Sequence, residues 1–378
     1  MLNLYQKVDE HRPIILEQEL SDEEVLDEIV ALKKELKDEV IVLGHHYQQD
    51  DVIRFADATG DSLYLAQKAA QLQNPYIVFC GVHFMAETAD ILTRDDQHVL
   101  LPDLKAGCSM ADMASLKDIL VCKKRLEGLF GDACFPQHVV PVTYVNSSAS
   151  LKSFVGEHGG SICTSSNARL VIEWALKQGE KLLFFPDQHL GRNTCFEMGI
   201  PLEEMVLYDP RVYQGNVSDE QLRKAKVILW AGHCSVHQGF QASQIDIIRK
   251  NTPEMKILVH PECSFDVVQK ADQAGSTAFI IDTIRKAPAG TSFAVGTEIN
   301  LVNRLAQEMP DKLIISLSPY QCLCTTMYRI RPRWLLESFR SIKRRDPQNV
   351  IKVPEQDKYW SRVALQRMLG LATTIGAK

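Results

Sequence analysis

The chain has no two cysteines spaced as C-x2-C, no surplus of basic charge, no long unbroken apolar run and no low-complexity stretch. The first absence excludes a zinc ribbon and the C-x2-C-x2-C run of bacterial ferredoxins, so a metal held by cysteine has to be assembled from single, distant ligands. A net charge of −6 leaves no footprint for a nucleic acid, and the cluster Lys343-Arg344-Arg345 reads as a solvated helix face. No segment approaches the roughly 18 apolar residues of a membrane span. The segment Met1–Lys7 lacks a basic region followed by an apolar core. A cytoplasmic protein with a small-molecule partner is therefore expected.

With 378 residues, 45% hydrophobic and 24% charged, the chain reads as a soluble globular protein of two or three domains. Its ten cysteines are many. A reducing compartment disfavours structural disulfides and shifts the expectation to metal or redox chemistry. Cys80, Cys163 and Cys263 lie within or against apolar runs and read as core, whereas Cys122, Cys134 and Cys195 have no evident place. Cys322 and Cys324 form a C-x-C pair: one is a ligand and the other its neighbour, or the two are a redox pair.

Apolar runs at 40–43, 76–80, 98–101, 139–145, 181–185, 226–230, 256–259, 292–295 and 312–317 alternate with helical patterns. Ser21-Asp22-Glu23-Glu24 is a capping box that opens a helix over 21–38. This alternation predicts α/β units with parallel sheets, in which ligands bind outside the carboxyl ends of the strands.

Three cysteines stand out by position. Cys108 follows His45 by 63 residues, Cys234 follows Tyr144 by 90 and Cys324 follows His260 by 64, and each opening residue ends an apolar run. The spacing suggests three similar units delivering one thiolate each, with chance similarity among α/β segments as the alternative. Three thiolates suit a cubane iron–sulfur cluster whose fourth iron stays open and acts as a Lewis acid.

The turns after the strands carry His45 and Tyr47, His83, Tyr144 and Asn146, Ser165 and Asn167, His189, His233 and His237, His260 and Glu262, and Ser276 and Thr277. Hydroxyls, amides and imidazoles at helix N-termini cradle carboxylate and phosphate. Any one of Ser165, Asn167 or Ser276 can instead be an ordinary N-cap.

With these residues in view, the chain resembles the quinolinate synthase family, iron–sulfur enzymes of bacterial NAD biosynthesis. The resemblance covers about residues 38–330 and rests on an ordered set of short motifs: Gly44-His45-His46-Tyr47-Gln48, Gly60-Asp61-Ser62, Gly81-Val82-His83-Phe84-Met85-Ala86-Glu87, Ala106-Gly107-Cys108, Tyr144-Val145-Asn146-Ser147-Ser148, Cys163-Thr164-Ser165-Ser166-Asn167, Phe185-Pro186-Asp187, Gly232-His233-Cys234-Ser235-Val236-His237, His260-Pro261-Glu262-Cys263, Gly275-Ser276-Thr277, Gly296-Thr297-Glu298 and Cys324-Thr325-Thr326-Met327.

The resemblance implies three pseudo-symmetric α/β domains around a central active-site cavity: 1–121 with an N-terminal helix, 139–234 and 235–324, with 325–378 as a helical segment packing back on the body. It implies one [4Fe-4S] cluster per chain on Cys108, Cys234 and Cys324. The implied reaction condenses iminoaspartate with dihydroxyacetone phosphate to quinolinate, phosphate and two waters. By motif, Glu262 is the expected general base, with His45 and Tyr47 as proton partners. Ser62, Tyr144, Asn146, Ser165, His260, Ser276 and Thr277 are expected to hold substrate beside His45 and Glu262. A carboxylate suits that task when its pKa is raised toward neutral. Functional links to an L-aspartate oxidase and a cysteine desulfurase follow from the same resemblance.

The chain departs from the family pattern at His46, where asparagine is usual, and at 122–138, which reads as an insertion. Some relatives carry further cysteines beside the third ligand; here only Cys322 does, which weakens the case for a disulfide switch. Two other classes remain: a mononuclear metal hydrolase using His45, His83, His233, His237 and His260, and a thiol redox sensor built on Cys322 and Cys324.

Overall fold

Among the described residues, fourteen strands form three separate sheets. The computed structural model describes residues 20–320 and 322–373; the N-terminal stretch that bears on an export signal, and the last residues of the C-terminal segment, lie outside the described residues. The strands are β1 (Val40–His45), β2 (Ala58–Gly60), β3 (Tyr76–Cys80), β4 (His98–Leu100), β5 (Val139–Tyr144), β6 (Ser161–Cys163), β7 (Lys181–Phe185), β8 (Met205–Tyr208), β9 (Val227–Trp230), β10 (Lys256–Val259), β11 (Gln273–Ala274), β12 (Ser292–Gly296), β13 (Leu313–Ser316) and β14 (Val350–Ile351).

The same order recurs three times. The first sheet runs β2-β1-β3-β4, the second β6-β5-β7-β9 and the third β11-β10-β12-β13. Within these sets every pairing is parallel. Two strands are additions: β8 extends the second sheet beyond β9, and β14 pairs antiparallel with β4 at the edge of the first. The fold is thus α/β with three mostly parallel sheets, as the alternation of apolar runs and helical patterns predicts. The short strands β2, β6, β8, β11 and β14 escape that prediction, because two to four residues are too few to show a period.

Burial follows from the parallel pairing. Helices cover both faces, so β5 and β7 are buried at every residue and read as continuous apolar runs. Lys181 tolerates its place in β7 because its ammonium reaches past the strand end to the carbonyls of Arg223 and Ala225, 2.6 Å from each. In the third sheet, alternation splits the core into two clusters. Ile257, Val259 and Ala294 face one side, while Leu258, Phe293 and Val295 face the other.

The middle unit owes its greater length to β8 and the helix Asp219–Lys224, inserted between β7 and β9. The segment read as an insertion over 122–138 belongs to a longer helix, Leu116–Phe130, capped by Ser115, and a short turn before β5. The two additions brace each other. Arg125 donates to the Val217 carbonyl at 2.7 Å and to Asp219 at 2.6 Å, and Arg223 donates to the Leu129 carbonyl at 2.9 Å.

Both ends of the chain pack on the body. The capping box at Ser21 and Glu24 is formed, and the helix it opens runs Asp22–Glu35. That helix packs on Pro332–Lys343, where Arg340 grips Glu28 with two bonds of 2.7 and 2.6 Å. The last helix, Glu355–Thr373, lies against Ala149–Glu157 so closely that a Cβ on Gly156 would meet the Trp360 carbonyl oxygen at 1.9 Å.

Candidate active site

Residues that follow the strands of all three sheets line one cavity. The repeated strand order places equivalent turns at equivalent corners. The turn at the end of each first strand contributes His45 and Tyr47, then Tyr144 and Asn146, then His260 and Glu262. The turn after each second strand contributes Ser62, Ser165 and Thr277. The loop after β4, β9 and β13 contributes Cys108, Cys234 and Cys324. Of the residues expected at the site, Ser276 alone is not on the cavity wall: it caps the helix Thr277–Lys286, its hydroxyl accepting from the Phe279 amide at 3.3 Å.

A chain of contacts crosses the cavity between the first and third sheets. The Tyr47 hydroxyl lies 3.1 Å from that of Thr277 and 2.9 Å from that of Thr297. Thr297 in turn is 3.3 Å from Nε2 of His237, whose ring stacks on His260 with centroids 4.6 Å apart. On its other side, Nδ1 of His237 is 2.7 Å from Oε2 of Glu262, an ion-pair distance without good hydrogen-bond alignment. The second sheet joins through Tyr144, whose phenol lies beside Glu262 and Ser165 on the cavity wall. Asn146 presents a buried Oδ1 with no partner in the protein, as expected of a group kept for a ligand.

Burial sets the ionisation of these groups. It pushes His45 and His260 down to about 3, so both imidazoles are neutral near pH 7. Tyr47 and Tyr144 are pushed up by burial and by the negative charge of Glu262, and both remain phenols. For Glu262, burial alone would raise the carboxyl. The neighbouring imidazoles of His260 and His237, together with the Tyr144 phenol, outweigh it and hold the group down at about 2. The protein's own groups therefore keep Glu262 ionised and make it a weak base; the rise toward neutral expected of a base beside a substrate dianion does not come from these groups alone.

The donor set fits a thiophilic metal group. All ten cysteines are free, and seven are buried; Cys108, Cys234 and Cys324 are more exposed, and all three reach the cavity. Cys80, Cys122, Cys134, Cys163 and Cys195 belong to the main core, and Cys263 and Cys322 to a core of the third unit. Burial pushes Cys108 up to about 12 and raises Cys234 and Cys324 as well, so a metal binding there displaces protons. A second donor set, Cys234, His237 and Glu262, has its ligand atoms within 4.8 Å of one another and shares Cys234 with the first.

Comparison with known proteins places the chain in a family. The family described as quinolinate synthetase A protein matches residues 27–370. The chain belongs to the quinolinate synthetase A family. It is 53% identical over 358 residues to the quinolinate synthase of Anoxybacillus flavithermus, covering 93% of this chain and 95% of that relative. The identity is 54% over 358 residues, with the same coverage, to that of Geobacillus sp. WCH70. To that of Listeria monocytogenes serotype 4b it is 49% over 376 residues, spanning 98% of this chain and all of the relative. Neither the hydrolase nor the redox-sensor reading gains support from these matches. No helix among the described residues is long and apolar enough to cross a membrane.

Against this family background, several residues emerge that motif reading left without a role. His237 and Thr297 sit inside motifs visible in the sequence, but only the fold makes them the link between Tyr47 and Glu262. Lys152 gave no signal: it is fully buried, donates to the Ser147 carbonyl behind Asn146, and burial lowers it to about 8. Glu298 caps the helix Ile299–Glu308 and accepts from the Cys324 amide at 3.4 Å, so one carboxylate holds a helix and a cysteine loop together.

Proposed function

We propose that the chain is a quinolinate synthase that condenses iminoaspartate with dihydroxyacetone phosphate, with release of phosphate and two waters and no net redox change. The observation that carries this reading is the meeting, in one cavity, of the three partly exposed cysteines with Glu262, Tyr47, Tyr144 and His45. A [4Fe-4S] cluster held by Cys108, Cys234 and Cys324 would supply a Lewis-acidic iron with an open position for a substrate oxygen or nitrogen.

The chain's own side chains account for the remaining tasks. Glu262, a carboxylate in the resting protein, takes a proton from carbon or hydroxyl, and His237 at 2.7 Å stabilises its charge before that transfer. Tyr47 and Tyr144 remain phenols and serve as donors to developing negative charge. His45, neutral through burial, accepts or donates one hydrogen bond without adding charge. Ser62, Ser165, Asn146, His260 and Thr277 hold carboxylate and phosphate groups from three sides, while Ser276 acts indirectly by setting the helix from which Thr277 projects.

The repeated strand order supports three units, expected at 1–121, 139–234 and 235–324, although the bound at 121 falls within the helix Leu116–Phe130; among the described residues, the segment after 324 closes on the first two units. On this reading the enzyme works in the cytoplasm, receives iminoaspartate from an L-aspartate oxidase and acquires its cluster through a cysteine desulfurase. The test is anaerobic purification with iron and acid-labile sulfide analysis, followed by an assay of quinolinate formation from both substrates. Four irons and four sulfides per chain with turnover are expected, on the order of the usual cubane stoichiometry. A single iron or zinc without sulfide would sink the cluster, and no quinolinate from a loaded protein would sink the activity.

A further inference from the structure

The structure assigns Asn193 as a positioning residue for Glu262: the second unit reaches across to the third and sets the turn from which Glu262 projects. Asn193 lies on the helix Gln188–Glu197 that follows β7, and it is 4% exposed. Its amide nitrogen donates to the carbonyl of Pro261 at 2.9 Å and to that of Cys263 at 2.9 Å. Those carbonyls bracket Glu262, one in the peptide bond before it and one just beyond the following residue. Two donor bonds from a single amide define the orientation of the short turn between them, as a clamp does.

The same side chain leaves its own Oδ1 buried without a donor. An unpaired buried amide oxygen costs stability, so the residue is better explained by what its nitrogen does than by any gain to the fold. The contacts within the turn do not replace it. Cys263 donates to the His260 carbonyl at 3.0 Å and His260 to the Gly296 carbonyl at 3.1 Å, tying the turn to its own sheet but not to the second unit. Only a tie between units fixes Glu262 against Tyr144, which belongs to the second sheet and faces the same cavity. Asn193 and Pro261 also form part of the wall of an outer groove between these two units, a groove that shares Ser165 with the cavity. Misplacing a reacting group by about 1 Å costs on the order of 100-fold in rate.

The inference rests on Glu262 as the base, and a double-mutant cycle separates the two. Asn193→Leu keeps the side-chain size and removes both donors; Asn193→Asp serves if Asn193→Leu folds poorly. Each is combined with Glu262→Gln, and kcat, KM, iron and sulfide content and thermal midpoint are measured on anaerobically purified protein. Asn193→Leu is expected to lower kcat by about tenfold or more, with KM within about twofold and full metal content, and to cost nothing further in the Glu262→Gln background. Unchanged kcat in Asn193→Leu beside a strongly slowed but measurable Glu262→Gln overturns the positioning role alone, and so does an additive loss in the double variant. A normal rate for Glu262→Gln overturns the base assignment and the inference with it.

Discussion

The Tyr47 hydroxyl, carried by the turn after β1, lies 2.9 Å from the Thr297 hydroxyl that follows β12, although 250 residues separate them. This contact closes the first unit onto the third and begins the series Tyr47, Thr297, His237, Glu262. It ties the orientation of a phenol on one wall to the carboxylate on another.

Tyr47→Phe is expected to remove the bonds to Thr277 and Thr297 while keeping the ring packed against His45 at 4.7 Å. Two buried hydroxyls then lose a partner, at a cost of about 1–3 kcal/mol. The thermal midpoint should fall and kcat should fall further than that loss alone explains. A variant as stable and as active as the parent would show that the hydroxyl carries neither role.

Cys108→Ala should abolish the brown absorbance of the anaerobic protein and its acid-labile sulfide. Cys80→Ala, at a fully buried core cysteine, should keep both and lose about 1 kcal/mol of stability. Equal metal content in the two variants would move the ligand assignment away from Cys108.

Acid should destabilise the protein from about pH 6.5 downward. Burial lowers His45 to about 3 and both His46 and His189 to about 4, all from an ordinary value of 6.5. Between those values the unfolded chain binds protons that the folded one does not, so stability rises with pH through this window and these groups add no slope above it. These three and His260, likewise lowered to about 3, give at most about 5.5 kcal/mol per pH unit. Thermal midpoints measured from pH 7.5 to 5 should stay level and then drop; a level curve down to pH 5 would contradict the burial of these imidazoles as neutral groups.

Gly156→Ala tests the docking of the last helix. In an open helix this change stabilises by about 1 kcal/mol. Here the new Cβ would sit 1.9 Å from the Trp360 carbonyl oxygen, so the helix Glu355–Thr373 must shift. Overpacking of this kind costs about 1–3 kcal/mol, which reverses the sign. Faster proteolysis of the C-terminal helix and a lower midpoint are expected, and a raised midpoint would mean that the two helices separate without penalty.

Sequence by itself determined the α/β class, because buried parallel strands need apolar runs that alternate with helical periods, and it singled out Cys108, Cys234 and Cys324 by their distance from an opening turn. The motifs also named most of the cavity wall, since chemistry at strand ends depends on residue type more than on packing. Tertiary structure decided the rest. The order β2-β1-β3-β4, repeated in each sheet, brings the three loops to one cavity, and no local spacing encodes it. The links from Thr297 to His237 and from Asn193 to the turn around Glu262 join residues from 60 to 70 positions apart. Hydrogen bonds of that range leave no periodic trace in a sequence, because their geometry exists only after the sheets have formed and the units have closed on one another.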